Sequence, residues 1–188
     1  MERYGRLTYH FIGGTMVKES KIESEDTIDS GSISFQCIDA IEISLFIEKE
    51  GLGFYEKAAK NVLEPSVKDI FLRLAEEERE HIQVLQNKLQ FLKPVISGKG
   101  KTRRKVDSFI KEVLEDKIFP ASESNLVKKF ENDLEALEYG IESEKRSIEM
   151  LNALLLNEKK LDVKSIFAHL VAEEKKHLAL LEELRAKI

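Results

Sequence analysis

Six residues in this chain have the types and spacing to bind metal: Glu48, Glu78, His81, Glu144, Glu174 and His177. Two pairs, Glu78 with His81 and Glu174 with His177, are Glu-x-x-His motifs. A carboxylate and an imidazole three residues apart lie on one helix face, so both can reach one point. Four carboxylates carry four negative charges, which two divalent cations balance. Oxygen ligands with one imidazole per metal suit iron or manganese better than the thiolate-rich sites of structural zinc. The competing reading is a polar core without metal. It would leave four acids buried at roughly several kcal/mol each, with like charges raising the cost. The expected centre is dinuclear and carboxylate-bridged, with two iron ions, or manganese or a mixed pair in their place.

Such a centre needs helices that aim all six groups at one core. The apolar stripe Ile41, Leu45, Leu52, Tyr55, Ala59 and Val62 advances in steps of three and four, and Glu48 sits inside it. Glu78 and His81 fall in the stripe Val67, Phe71, Leu74, Leu85; Glu144 falls in Leu137, Ile141, Ile148, Leu151. Glu174 and His177 fall in Val163, Phe167, Leu170, Leu181. Helices are expected over about 37–62, 65–92, 125–156 and 162–187, with a shorter amphipathic stretch over 106–118. Pro65 suits the first turn of the second helix, and the basic, glycine-containing run from Pro94 to Lys105 reads as a loop.

An offset of 96 residues lays the second hairpin over the first without a gap, matching Glu48 to Glu144, Glu77-Glu78 to Glu173-Glu174 and His81 to His177. Within each hairpin the two core glutamates are equidistant from the turn, so they should face one another. The expected fold class is therefore all-α: a four-helix bundle of two repeated hairpins joined by a long crossover that contains a short helix.

Composition narrows the alternatives. The chain has 188 residues, 35 of them acidic and 27 of those Glu, the helix-compatible carboxylate. With only 9 Gly and 3 Pro, β-sandwich, barrel and collagen-like architectures are disfavoured. The single cysteine, Cys37, rules out an intramolecular disulfide framework and a four-thiolate metal site; it reads as a packing residue at a helix start. A net charge of −5 gives no general attraction to nucleic acid or anionic lipid. No secretory leader or membrane span is apparent in the sequence, so the expected compartment is the cytoplasm. Residues 1–35 read as a flexible N-terminal tail and 36–188 as the folded domain. His10 lies in that tail. His169 aligns with Arg73 in the repeat and reads as a surface or interface histidine.

The segments EKEGLGFY (48–55), LAEEEREH (74–81) and LVAEEKKH (170–177), with Ile118-Phe119-Pro120 in the crossover, resemble the rubrerythrin group of ferritin-like di-iron proteins over about residues 36–185. That resemblance implies a ferritin-like fold, with Glu48, Glu78, Glu144, Glu174, His81 and His177 as ligands and Glu78 and Glu174 bridging. It makes Tyr55 similar to the tyrosine that hydrogen-bonds a ligand carboxylate from outside. Two positions depart from the pattern: Leu151 stands where the repeat would place a second tyrosine, and Ser147 where typical members add another carboxylate. A rubredoxin module is missing as well.

The activity implied is reduction of hydrogen peroxide, or dioxygen, with electrons from an external donor such as a rubredoxin-like protein. The alternative is a non-enzymatic iron-binding protein that oxidises and stores iron. The resemblance also suggests a homodimer.

Overall fold

The computed structural model describes residues 8–12, 15–19, 35–92, 106–114, 118–119 and 130–188. Four long helices dominate: α1 (Cys37–Asn61), α2 (Pro65–Leu92), α3 (Asp133–Asn157) and α4 (Leu161–Arg185). The stripes expected of α2, α3 and α4 are largely buried; α1 buries an unexpected further row, Ile43, Ile47 and Phe54, while its Ile41 and Leu45 pack with Ile82 and Leu85 in a smaller cluster. Ile43, Ile47, Phe54 and Tyr55 from α1 meet Phe71 and Leu74 from α2, Leu137, Ile141 and Leu151 from α3, and Phe167 and Leu181 from α4 in one core. At about 25 cal/mol per Å² of apolar surface removed from water, these stripes supply the main force assembling the bundle.

The hairpin ends are tied across the repeat. At the first turn, the Leu63 and Glu64 backbone N–H groups donate to Asp133, the first residue of α3. At the second, Glu158 accepts from the backbone N–H of Phe35, just ahead of α1, at 3.1 Å. The same carboxylate accepts from the Lys159 and Lys160 backbones at 2.7 and 2.9 Å. In the crossover, the backbone is helical over 106–114 and π-type in Ile110–Leu114. Ile118 and Phe119 are buried against the bundle, and Arg146 Nε donates to the Ile118 carbonyl at 3.2 Å.

Two features differ from the sequence expectation. The third helix starts at Asp133 instead of near Asn125. Asn132 caps it, its side chain accepting from the Glu135 N–H at 2.9 Å, and an N-cap of this kind satisfies a donor that another helical turn would otherwise satisfy. Residues 121–129 lie outside the described residues, as do most of the expected tail and the basic run 99–105. Within the tail, Thr8–Ile12 (β1) pairs antiparallel with Thr15–Glu19 (β2), Ile12 opposite Thr15. The signal was present in the sequence: a β-prone run interrupted by Gly13-Gly14, a dipeptide suited to a two-residue hairpin connection. No described helix is long and apolar enough to cross a membrane.

Candidate metal centre

All six sequence-selected residues converge at mid-bundle. They form two groups whose potential ligand atoms lie within 4.8 Å of one another: Glu48, Glu78 and His81; and Glu78, Glu144, Glu174 and His177. The expected pairs thus meet across each hairpin, and Glu78 belongs to both groups. Of the two glutamates expected to bridge, Glu78 is the shared one; Glu174 lies in the second group alone. Glu48, Glu78, Glu144, Glu174 and His177 are all at most 3% exposed, whereas His81 is half-buried.

Both imidazoles face the carboxylates with Nδ1. His81 Nδ1 is 3.2 Å from Glu48 Oε2, and His177 Nδ1 is 3.2, 3.7 and 3.5 Å from Glu78, Glu144 and Glu174. The rings stack in near-parallel planes, centroids 5.9 Å apart. Their outward nitrogens face a second carboxylate pair. His177 Nε2 is 3.4 Å from Glu77 Oε2, and His81 Nε2 is 3.8 Å from Glu173 Oε2. Glu77 and Glu173 are repeat partners, each serving the histidine of the other hairpin. Sequence reasoning passed over them because they lie one residue off the seam; their duplication beside Glu78 and Glu174 was the available signal.

The electrostatics are those of a site short of positive charge. Burial pushes Glu78 well above the usual carboxylate range, reinforced by Glu48. Burial and the nearby Glu174 do the same to Glu144. Burial would also raise Glu174, but the close approach of His177 and Glu144 and the hydrogen bond from Ser147 outweigh it and hold this carboxyl low. Burial opposes a charged His177, yet Glu144, Glu174 and Glu78 together raise it far above an ordinary imidazole. Glu48 is the main cause of an upward shift at His81.

Four buried atoms in the centre find no hydrogen-bond partner among the protein's own groups: Glu78 Oε2, Glu144 Oε2, and Nδ1 and Nε2 of His177. Buried polar atoms are normally paired. Carboxylate oxygens and imidazole nitrogens left unpartnered in a set of four carboxylates and two imidazoles fit hard-to-borderline divalent cations.

The surroundings hold the carboxylates in place. The Tyr55 hydroxyl donates to Glu144 Oε1, on the opposite hairpin. Burial, with Glu144 beside it, keeps the phenol protonated by raising its pKa well above the normal value. Ser147, one turn after Glu144, donates to Glu174 Oε1 at 2.8 Å. Gly51, one turn after Glu48, makes room for Glu78: a Cβ there would sit 3.0 Å from Glu78 Oε1 and 3.5 Å from the Phe119 ring. The crossover therefore closes one side of the site.

The other residues singled out lie apart from the centre. His169 is exposed, its Nδ1 3.9 Å from Glu173. Cys37 donates through Sγ to Asp162 at 2.8 Å, and burial, with that hydrogen bond, pushes its thiol up to about 11, which suppresses thiolate chemistry. Leu151 is a buried core residue. His10 pairs with Val17 in the strand ladder.

Residues 39–185 match the profile of the family described as Rubrerythrin. Among solved structures, the chain is similar to a two-domain protein of Anabaena variabilis that contains DJ-1/ThiJ/PfpI-like and ferritin-like domains. The TM-score is 0.56 at 16% sequence identity, covering 80% of this chain and 39% of that one. At that identity the likeness speaks to a ferritin-like fold. The chain spans well under half of that protein's length. A comparison with curated proteins finds no match.

Proposed function

The chain belongs to the rubrerythrin family, and from that premise we propose that it is a di-iron oxidoreductase reducing hydrogen peroxide with electrons from an external protein donor, such as a rubredoxin-like protein. The observation carrying this reading is the pair of carboxylate–histidine groups that share Glu78 and leave buried lone pairs without partners.

Glu48 and His81 would hold one metal, Glu144, Glu174 and His177 the other, and Glu78 would span both. Peroxide reduction to two waters consumes two electrons and two protons, and a pair of ferrous ions, when bound, supplies the electrons. The chain's own groups do the rest. Four carboxylates balance two divalent charges. The aromatic wall of Phe54, Tyr55, Phe71 and Phe119 limits bulk water around the reacting oxygens. Tyr55 Oη keeps its proton and, by donating to Glu144, fixes that carboxylate's orientation. The complete site within one chain supports a catalytic role over storage.

The test is to load the protein anaerobically with ferrous iron and mix it, in separate stopped-flow experiments, with peroxide and with dioxygen. Oxidation much faster with peroxide, at two irons per chain, is expected. Uptake of many irons per chain would replace this reading with storage.

A further inference from the structure

The six groups of the centre are not equally shielded. Five are sealed; His81 alone meets solvent, with 24% of its side chain exposed. His81 lines a groove of about 600 Å³ between α2 and α4. Deeper in the groove are Glu77 and Glu173, and at its exposed edge are Glu80 and Glu183. Arg73 and Lys176 are the cations that line it, leaving an excess of two negative charges with His81 neutral; one of the acids, Glu183, is also paired at the rim with Lys187 at 2.6 Å. Behind Glu77 lies the buried Nε2 of His177, directed at this wall and lacking a hydrogen-bond partner.

Arg73 and Lys176 hold Glu77 and Glu173 through pairs in which the cation is 62% and 67% exposed. Exposed ion pairs contribute little to stability, so an arriving divalent ion can displace them.

We propose that this groove is the loading path of the centre. A divalent cation is drawn in by Glu80 and Glu183, passes between Glu77 and Glu173, and reaches the buried carboxylates beside His81. The proposal rests on reading the six residues as a metal centre. An uncharged molecule gains nothing from a negative rim, whereas a cation does: charged clefts raise association rates by roughly 10 to 1,000-fold, an advantage lost as salt rises.

The probe is Co²⁺ added to the metal-free full-length chain, followed by its visible absorption in stopped flow, with equilibrium stoichiometry measured in parallel. Two Co²⁺ per chain are expected in every variant. Glu80→Gln combined with Glu183→Gln should slow uptake about tenfold at low salt, the gap closing at high salt. Ala179→Trp, which fills the groove from an exposed position on α4, should slow uptake and chelator-driven release together while leaving affinity nearly unchanged. Glu149→Gln, exposed on α3 outside the groove, should do neither. Unaltered uptake in both groove variants, with two Co²⁺ still bound, overturns the loading path and leaves the metal centre standing. Fewer than two Co²⁺ on the unaltered chain overturns both.

Discussion

At the histidines, the inward nitrogen is Nδ1 and the outward one is Nε2, and that assignment depends on two glutamates outside the ligand set. A carboxylate facing Nε2 favours the tautomer with its proton there, which leaves the Nδ1 lone pair free for a metal. The negative charge of Glu77, 3.4 Å from His177 Nε2, and of Glu173, 3.8 Å from His81 Nε2, acts in this direction, each from the opposite hairpin. Glu77→Gln and Glu173→Gln should therefore each weaken equilibrium metal affinity by about 10–100-fold. Competition with a chelator of known affinity measures it, and an affinity within twofold of the original would remove the orienting role. This is an equilibrium loss, distinct from slowed loading.

Two glycines of α1 give a second prediction at the same scale. A Cβ on Gly53 would meet nothing within 4 Å, so Gly53→Ala should stabilise the metal-free protein by about 0.5–1 kcal/mol through helix propensity. A Cβ on Gly51 presses on Glu78 Oε1. Gly51→Ala should gain less stability and, by moving the carboxylate common to both groups, lose metal affinity that Gly53→Ala keeps. Urea unfolding and metal titration of the two variants provide the comparison. The spacing of three and four made the six ligand candidates legible, because it is a property of the chain. The space at Gly51 is a property of the packing and could not be read that way.

The elements themselves were legible in proportion to their punctuation. The limits of α1 and α2 follow from Pro65 and the end of the apolar stripe, and they match the structure closely. The start of α3 did not, because the apolar period runs on upstream of it; what stops the helix is the Asn132 cap, a side-chain hydrogen bond. The ties between hairpin ends were likewise hidden, since they join residues far apart in sequence.

Glu158 makes such a tie testable. Three backbone N–H groups, from Lys160, Phe35 and Lys159, outweigh burial and hold its carboxyl below the usual 4.5. A lowered folded-state pKa means the tie is fully present above the ordinary carboxylate range and lost as pH falls through the lower native value. Glu158→Gln replaces one accepting oxygen with a donor and should cost about 1–3 kcal/mol near neutral pH. In urea unfolding the difference should shrink as pH falls below the ordinary carboxylate range, where the native carboxyl also takes up its proton. A difference constant over that fall would mean that the charge contributes nothing.

At the scale of the whole molecule, the two hairpins meet at a cluster that is expensive without cations. Glu78 and Glu144 are pushed up by burial and by neighbouring carboxylates, and lone pairs at the centre go unused. Metal bound there couples both halves of the repeat, because Glu78 lies in both groups. Ligand that binds only the folded state stabilises it by RT ln(1 + [L]/Kd), about 2.7 kcal/mol at 100 times Kd. For a chain of this size that corresponds to roughly 5–10 °C in Tm.

The apolar stripes, however, do not depend on the metal. His177→Ala should therefore keep a cooperative transition when metal-free, while losing most of the metal-dependent rise in Tm. Scanning calorimetry of the unaltered chain and the variant, each with chelator and with excess Mn²⁺, measures both quantities. An equal rise in the two proteins would mean that metal stabilises the bundle from somewhere other than this centre. Collapse of the metal-free variant would mean instead that the His177 imidazole, which lies within 4 Å of three buried carboxylates, supplies the positive charge that holds the hairpins together before any cation arrives.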